Sequence, residues 1–115
     1  MQFSVTEHVV KTPRHTSFYL ACGVVGAPLI IFVHGWAELS ISWRHQLQCF
    51  ASLGFRAIAP DMRGYGRSTV HQNVSDYSVE AVVTDMIELI DALGSRSAIW
   101  VGHDWGAPVV WGLVD

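Results

Sequence analysis

The chain has 115 residues, with seven Lys or Arg against ten Asp or Glu, giving a net charge of −3 with histidine neutral. That length holds at most one domain, and the absence of any basic run excludes the electrostatic footprint of a nucleic-acid binder. Half of the residues (50%) are hydrophobic, which favours strands buried on both faces over a half-wet antiparallel sheet.

The first residues carry neither a cationic leader nor an apolar stretch of signal-peptide length. The longest wholly apolar run, Ala27 to Val33, is seven residues, far short of the ~20 that span a bilayer. The expectation is a soluble, cytoplasmic chain with no membrane span. Cys22 and Cys49 lie in separate apolar segments without CxxC spacing and read as buried free thiols, with a disulfide as the lesser alternative.

In chain order, the imperfect alternation from Phe3 to Val9 predicts a first strand. A break at Lys11-Thr12-Pro13-Arg14 follows, and Phe18, Leu20 and Cys22 alternate with Ser17, Tyr19 and Ala21, so the two strands form an antiparallel hairpin. Pro28 to Val33 is a continuous apolar run with proline at its first position, a central strand. A helix is expected from about Ser42, with Trp43, Leu47, Phe50 and Leu53 on one face and Gly54 just past its end. Phe55 to Ala59 is the next strand, stopped by Pro60, after which Asp61 to Ser68 forms a glycine-rich loop. Beyond a polar connector from Thr69 to Tyr77, Ser78 caps a helix with Val79, Val82, Val83, Met86, Ile87, Ile90 and Leu93 along one stripe, closed by Gly94.

The last strand, Ala98 to Val101, runs into Gly102-His103-Asp104-Trp105-Gly106 and then into a helix-like segment. A nucleophile on a sharp strand-to-helix turn needs small residues two positions to either side, because Cβ atoms there would collide with the backbone. Gly102 and Gly106 meet that need, and Asp104 holds the nucleophile position. A carboxylate there points to alkyl-ester rather than acyl-ester chemistry. The order β-β-β-α-β-α-β-α predicts an α/β fold with a mostly parallel sheet, and ligands in such sheets bind beyond the carboxyl ends of the strands. The three unusual loops, 34 to 38, 60 to 68 and 102 to 106, all fall on that edge.

His34-Gly35-Trp36 after the third strand, Pro60 to Ser68 after the fourth and Gly102 to Gly106 at the elbow together resemble the N-terminal part of the α/β-hydrolase fold. More narrowly they are similar to the epoxide hydrolase and haloalkane dehalogenase branch, and His103 before the nucleophile leans toward the epoxide hydrolases. The resemblance implies that Asp104 attacks an epoxide carbon to form an alkyl ester, which water then hydrolyses. It also implies that the backbone N–H groups of Trp36 and Trp105 stabilise the oxyanion of the second step, each such donor being worth ~3 kcal/mol of barrier. The helix after the elbow places its positive end near Asp104 and favours the ionised carboxylate.

One position departs from the family pattern: Ala37 stands where His-Gly-X-Pro has its proline. In the family that proline commonly follows a cis bond, and a cis bond before Ala37 would cost ~3 kcal/mol, against less than ~1 before proline. A trans bond there would displace the loop, so the Trp105 donor is better supported than the Trp36 donor.

Bland readings stand beside these. His34 and His103 read as hydrogen-bonded braces of their loops, with Gly35 supporting the first. No metal is expected, since His34, His103, Asp61 and Asp104 lack zinc-ligand spacing, and no cofactor is implied. Asp61, Arg63 and Arg67 are expected to satisfy local carbonyls and each other rather than bind an anion. Trp43, Trp100 and Trp111 read as core. Gly64-Tyr65-Gly66 lacks the third glycine of a phosphate cradle.

The chemistry also needs a base to activate water, and in the resembling family the histidine, its acid partner and the cap-domain tyrosines all follow the nucleophile. No histidine follows Asp104 in this sequence, and His8, His15, His45 and His71 precede it. Residues 1–115 are therefore expected to be the N-terminal part of one core domain, without its cap and C-terminal part. The expected substrate is a small apolar epoxide, or an alkyl halide if the chain is a haloalkane dehalogenase. A non-catalytic fragment or interaction module is the third reading. The strand from Ala98 to Val101 is expected to leave an open edge through which copies self-associate.

Overall fold

The computed structural model describes residues 3–35, 39–95, 97–103 and 106–114. Strand β1 spans Thr6–Lys11 and β2 spans Thr16–Cys22, paired antiparallel from Thr6↔Ala21 to Lys11↔Thr16. The first strand starts later and runs further than the alternation from Phe3 to Val9 predicts, because the turn fixes the register. Thr12 N donates to the His15 carbonyl at 2.9 Å and the Thr12 hydroxyl accepts from His15 N at 3.1 Å, with Pro13 presetting the first turn dihedral.

Strand β3, Leu29–Val33, is buried along its whole length. It is followed by a 3-10 turn over Ser40–Trp43 and helix α1, Arg44–Ser52. Strand β4 is Arg56–Pro60. Pro60 is thus the last residue of the strand, opposite Tyr19, rather than a stop before its end. A strand end tolerates a missing N–H, and the ladder continues through Asp61 N, which donates to the Phe18 carbonyl at 2.8 Å. A 3-10 turn over Val74–Tyr77 leads into α2, Val79–Ala92, where the Ser78 hydroxyl accepts from Ala81 N at 3.2 Å as the expected cap. Strand β5 is Ile99–Gly102 and α3 is Gly106–Val114. Pro108 lies in the first turn of α3, where its missing N–H costs nothing.

The strands lie in the order β1-β2-β4-β3-β5. β2 pairs antiparallel with β4, and β3 pairs parallel with β4 on one side and β5 on the other. The sheet is therefore mixed, with the antiparallel hairpin on one side and the parallel strands on the other. Period-two alternation sends Ile31, Val33 and Ile58 to the face covered by α2 and α3. It sends Ile30, Phe32, Ala57 and Ala59 to the face covered by α1. No helix among the described residues is long and apolar enough to cross a membrane.

Several exposure expectations are corrected. Leu53 is 67% exposed because α1 ends at Ser52 and the chain turns away through Gly54 at φ +98°. Trp111 is 70% exposed, on the side of α3 turned away from the sheet, so it is not core. Trp43, in contrast, packs on Phe32 with ring centroids 5.0 Å apart, and Trp100 packs partly buried against the core. Of the two free cysteines, Cys22 is buried but Cys49 is exposed. On α2, Val79 and Ile87 face solvent, whereas Asp85, Met86 and Leu89 are buried. Val82, Val83, Met86, Ile90 and Leu93 of the predicted stripe pack against the core, Val79 and Ile87 do not, and the buried face also has a carboxylate in it, Asp85.

Candidate active site

Three loops meet beyond the carboxyl ends of β3, β4 and β5. His34 and Gly35 follow β3 directly and both are buried. The His34 ring accepts from Met62 N at Nε2, 2.9 Å, which leaves Nδ1 to donate to the Gly35 carbonyl at 3.0 Å. Tyr65 packs edge-on against the same ring, centroids 5.0 Å apart. His34 is thus a brace between the loops after β3 and β4, as the sequence suggests.

The elbow is tied to β3 by His103 N, which donates to the Val33 carbonyl at 3.2 Å, and closes with Gly106 N donating to the His103 carbonyl at 2.9 Å. The two glycines are required by space. A Cβ on Gly102 would lie 2.7 Å from both Gly106 O and Val110 Cγ2, and one on Gly106 would overlap the Val33 carbonyl oxygen. Asp104 and Trp105 lie outside the described residues, as do Trp36 and the Trp36–Ala37 bond.

The loop after β4 is organised by its own charged groups. Asp61, 3% exposed, accepts from Ser40 N at 2.8 Å and from Arg67 N at 3.3 Å, fastening this loop to the 3-10 turn that follows the β3 loop. Gly66 stands at φ +52°, and a Cβ there would strike the Asp61 carboxylate. That requirement accounts for the second glycine without any phosphate. Arg67 reaches Glu7 at 3.0 Å and lies over the Phe18 ring at 4.7 Å.

Arg67, whose side chain reaches β1 and β2, and Arg63 both depart from the expectation of local partners. Buried, Arg63 forms a fork with Asp85 on α2, Nε to Oδ2 at 2.7 Å and Nη2 to Oδ1 at 2.7 Å, while Nη1 donates to the Asp76 carbonyl at 2.6 Å. Asp85 also takes Arg14, which reaches Glu88 at 2.8 Å. Burial works against the Arg14 charge, but its hydrogen bonds to Glu88 and Asp85 prevail and raise its pKa. His15 lies in the same cluster. Burial pushes its pKa down, Asp85 opposes this, and Arg63, His71 and Arg14 reinforce it. Sequence reasoning did not find this network. Its only signal is one aspartate, Asp85, set among the apolar residues of α2, and its partners are 22 and 71 positions away in the chain. No group of three or more His, Cys, Asp or Glu side chains among the described residues could hold a metal ion.

The arrangement offers a sheet edge, two glycines that close packing requires at the end of β5 and the start of α3, and two loops braced by buried polar groups. Comparison with known proteins agrees with this geometry. The chain is 42% identical over 106 residues to epoxide hydrolase A of Mycobacterium tuberculosis (strain ATCC 25618 / H37Rv), covering 92% of this chain and 33% of that protein. It is 50% identical over 84 residues to an epoxide hydrolase of Caballeronia sordidicola, covering 73% of this chain and 26% of that one. The crystal structure of epoxide hydrolase A from Mycobacterium thermoresistibile superposes with a TM-score of 0.92 at 36% identity, over 96% of this chain and 34% of that chain. The chain spans about a third or less of the length of these relatives. The sequence pattern of the alpha/beta hydrolase fold matches residues 28–114, and the chain belongs to the α/β-hydrolase fold family.

Proposed function

We propose that this chain supplies the nucleophile half of an epoxide hydrolase-type active site, with Asp104 as the nucleophile. The observation that carries this reading is the pair Gly102 and Gly106. Neither tolerates a Cβ against its neighbours, and midway between them in the sequence is an aspartate, Asp104, rather than a serine. The likeness to epoxide hydrolases supports the substrate class, a small epoxide.

In the proposed reaction an Asp104 oxygen bonds to an epoxide carbon as the ring C–O bond breaks, and the released alkoxide takes a proton from solvent water to become a hydroxyl. The product is a hydroxyalkyl ester on Asp104. Its hydrolysis by water develops an oxyanion, for which the Trp105 and Trp36 backbone N–H groups are the proposed donors. Gly102, Gly106, His103, His34 and Gly35 act as supports that hold the turn and the β3 loop. Water activation needs a general base, and no histidine follows Asp104 up to Asp115, so these 115 residues by themselves would be inactive or stop at the ester after a single turnover. Residues 1–115 are read as the N-terminal part of one core domain, cytoplasmic and without affinity for nucleic acid, and β5 as an edge for self-association.

Incubation with styrene oxide tests the assignment. The intact mass should rise by one epoxide, peptide mapping should place the adduct on Asp104, and Asp104→Asn should not label. A folded sample that gains no adduct would favour a non-catalytic role. In a chain extended to complete its active site, release of halide from an alkyl halide without epoxide turnover would assign a haloalkane dehalogenase instead.

A further inference from the structure

Outside the site, the connector that follows the glycine-rich loop is held to the β1–β2 turn by a pair of imidazoles. His15 Nδ1 and His71 Nε2 are 2.8 Å apart, with the rings stacked at 5.1 Å and 21° from parallel. His15 is buried and His71 half-buried. On its far side His15 Nε2 faces Asp85 Oδ2 at 3.6 Å, beyond hydrogen-bond range, and it has no hydrogen-bond partner among the described residues. A lone pair on Nε2 would point at a carboxylate oxygen. The neutral ring therefore carries its proton there, and Nδ1 accepts from His71.

Charged and titratable groups surround the pair from each packed element. Arg14 comes from the β1–β2 turn, Asp85 and Glu88 from α2, and Arg63 from the loop after β4. Tyr77 comes from the connector, its ring edge-on to His71 at 6.2 Å and its hydroxyl 2.7 Å from both His71 N and O.

We propose that the His15–His71 pair is an acid-released latch, closed while at least one contacting ring nitrogen keeps its lone pair and opened when both rings are protonated. One proton added to the pair leaves one acceptor at the contact, and the bond persists with charge assistance. A second proton, taken from solvent, puts an N–H on each side of the 2.8 Å contact. It also leaves two stacked imidazolium rings, with Arg63 and Arg14 acting against the His15 charge and Asp85 the carboxylate that His15 faces. Burial of His15 opposes that second proton, so opening falls below the ordinary histidine value of ~6.5. Release is local. Thr69 stays bonded to Thr16, N to O at 3.0 Å, and the Asp76 carbonyl stays with Arg63 Nη1 at 2.6 Å, so the freed segment is residues 70–75.

Amide hydrogen-exchange protection of residues 70–75, measured in the chain at pH 7.5 and pH 5 and corrected for intrinsic rates, tests the latch. Relative to β3, protection should fall roughly tenfold at the lower pH. In His71→Gln the side-chain amide supplies either a donor or an acceptor to His15 in both states, so the fall should disappear. In His15→Asn, which keeps an amide near the Nδ1 position, it should disappear as well. Protection unchanged between the two pH values in the parent chain, or an undiminished fall in His71→Gln, would overturn the proposal. His71→Gln decides the matter if the buried substitution fails to fold.

Discussion

Gly106 sits against the carbonyl oxygen of Val33, so close that an added Cβ would overlap it and approach the His34 carbonyl oxygen to 2.8 Å. The helix that leaves the elbow is thereby seated directly on the carboxyl end of the central strand. Gly106→Ala should destabilise the fold by about 1–3 kcal/mol through overpacking against backbone that cannot move aside. Urea unfolding should show the shift as a lower midpoint, and an unchanged midpoint would mean that the elbow is looser than its geometry implies.

The buried fork between Arg63 and Asp85 predicts an asymmetry between single and double substitutions. Asp85→Ala leaves the Arg63 guanidinium buried without its carboxylate and should cost about 3–5 kcal/mol. Replacing both partners, as Arg63→Met with Asp85→Leu, should recover most of that loss, because Arg14 is partly exposed and keeps Glu88. Equal destabilisation by the single and double variants would show that the network contributes more than the cost of an unpaired charge.

Protonation of His15 makes stability depend on pH in a defined direction. Burial lowers its pKa in the folded chain, so between that lowered value and the ordinary ~6.5 the unfolded chain binds more protons. The His15 contribution is fully present above about pH 6.5 and is lost as pH falls through the folded value. Urea midpoints compared at pH 7.5 and pH 5 should show a drop that His15→Asn reduces. A drop of the same size in the variant would assign the acid sensitivity elsewhere.

Thiol chemistry should separate the two cysteines. Burial raises the Cys22 pKa, with Arg56 and a hydrogen bond from the Gly23 backbone opposing it, and the residue is fully buried. Cys49 is exposed on α1. Native protein should take up one equivalent of a thiol reagent, on Cys49, and denatured protein two. Rapid labelling of both in the native state would contradict the packing of β2.

Strand β5 pairs with β3 alone among the described strands, and Ile99 on it is 52% exposed. Open apolar edges invite pairing with another chain. The 115-residue chain should therefore associate as its concentration rises, and Ile99→Lys should reduce the association seen by light scattering. A monodisperse, cooperatively unfolding monomer at high concentration would overturn this expectation.

The elements themselves were legible in the residues because their signals are local. The apolar run before Val33, the Ser78 cap and the glycines around Asp104 each state a backbone requirement within a few positions. The proposal of Asp104 as nucleophile and the assignment of His34 as a brace come from the same kind of signal. Boundaries shifted where a turn chose the register, as Thr12 and His15 did for β1. Exposure failed where a helix face had to be assigned without its neighbours, as for Leu53, Trp111 and Cys49.

What the chain determined by itself, then, is the succession of strands and helices and the loops that carry chemistry, since alternation, capping and glycine spacing are read within a single segment. Only the tertiary structure decided that β4 lies between β2 and β3, that the buried face of α2 includes Asp85, and that Arg63, Arg14, His15 and His71 gather around it. Those relationships join residues tens of positions apart. They depend on which surfaces meet once the sheet forms, and on the cost of a buried charge, which is met only when its partners arrive from elsewhere in the chain.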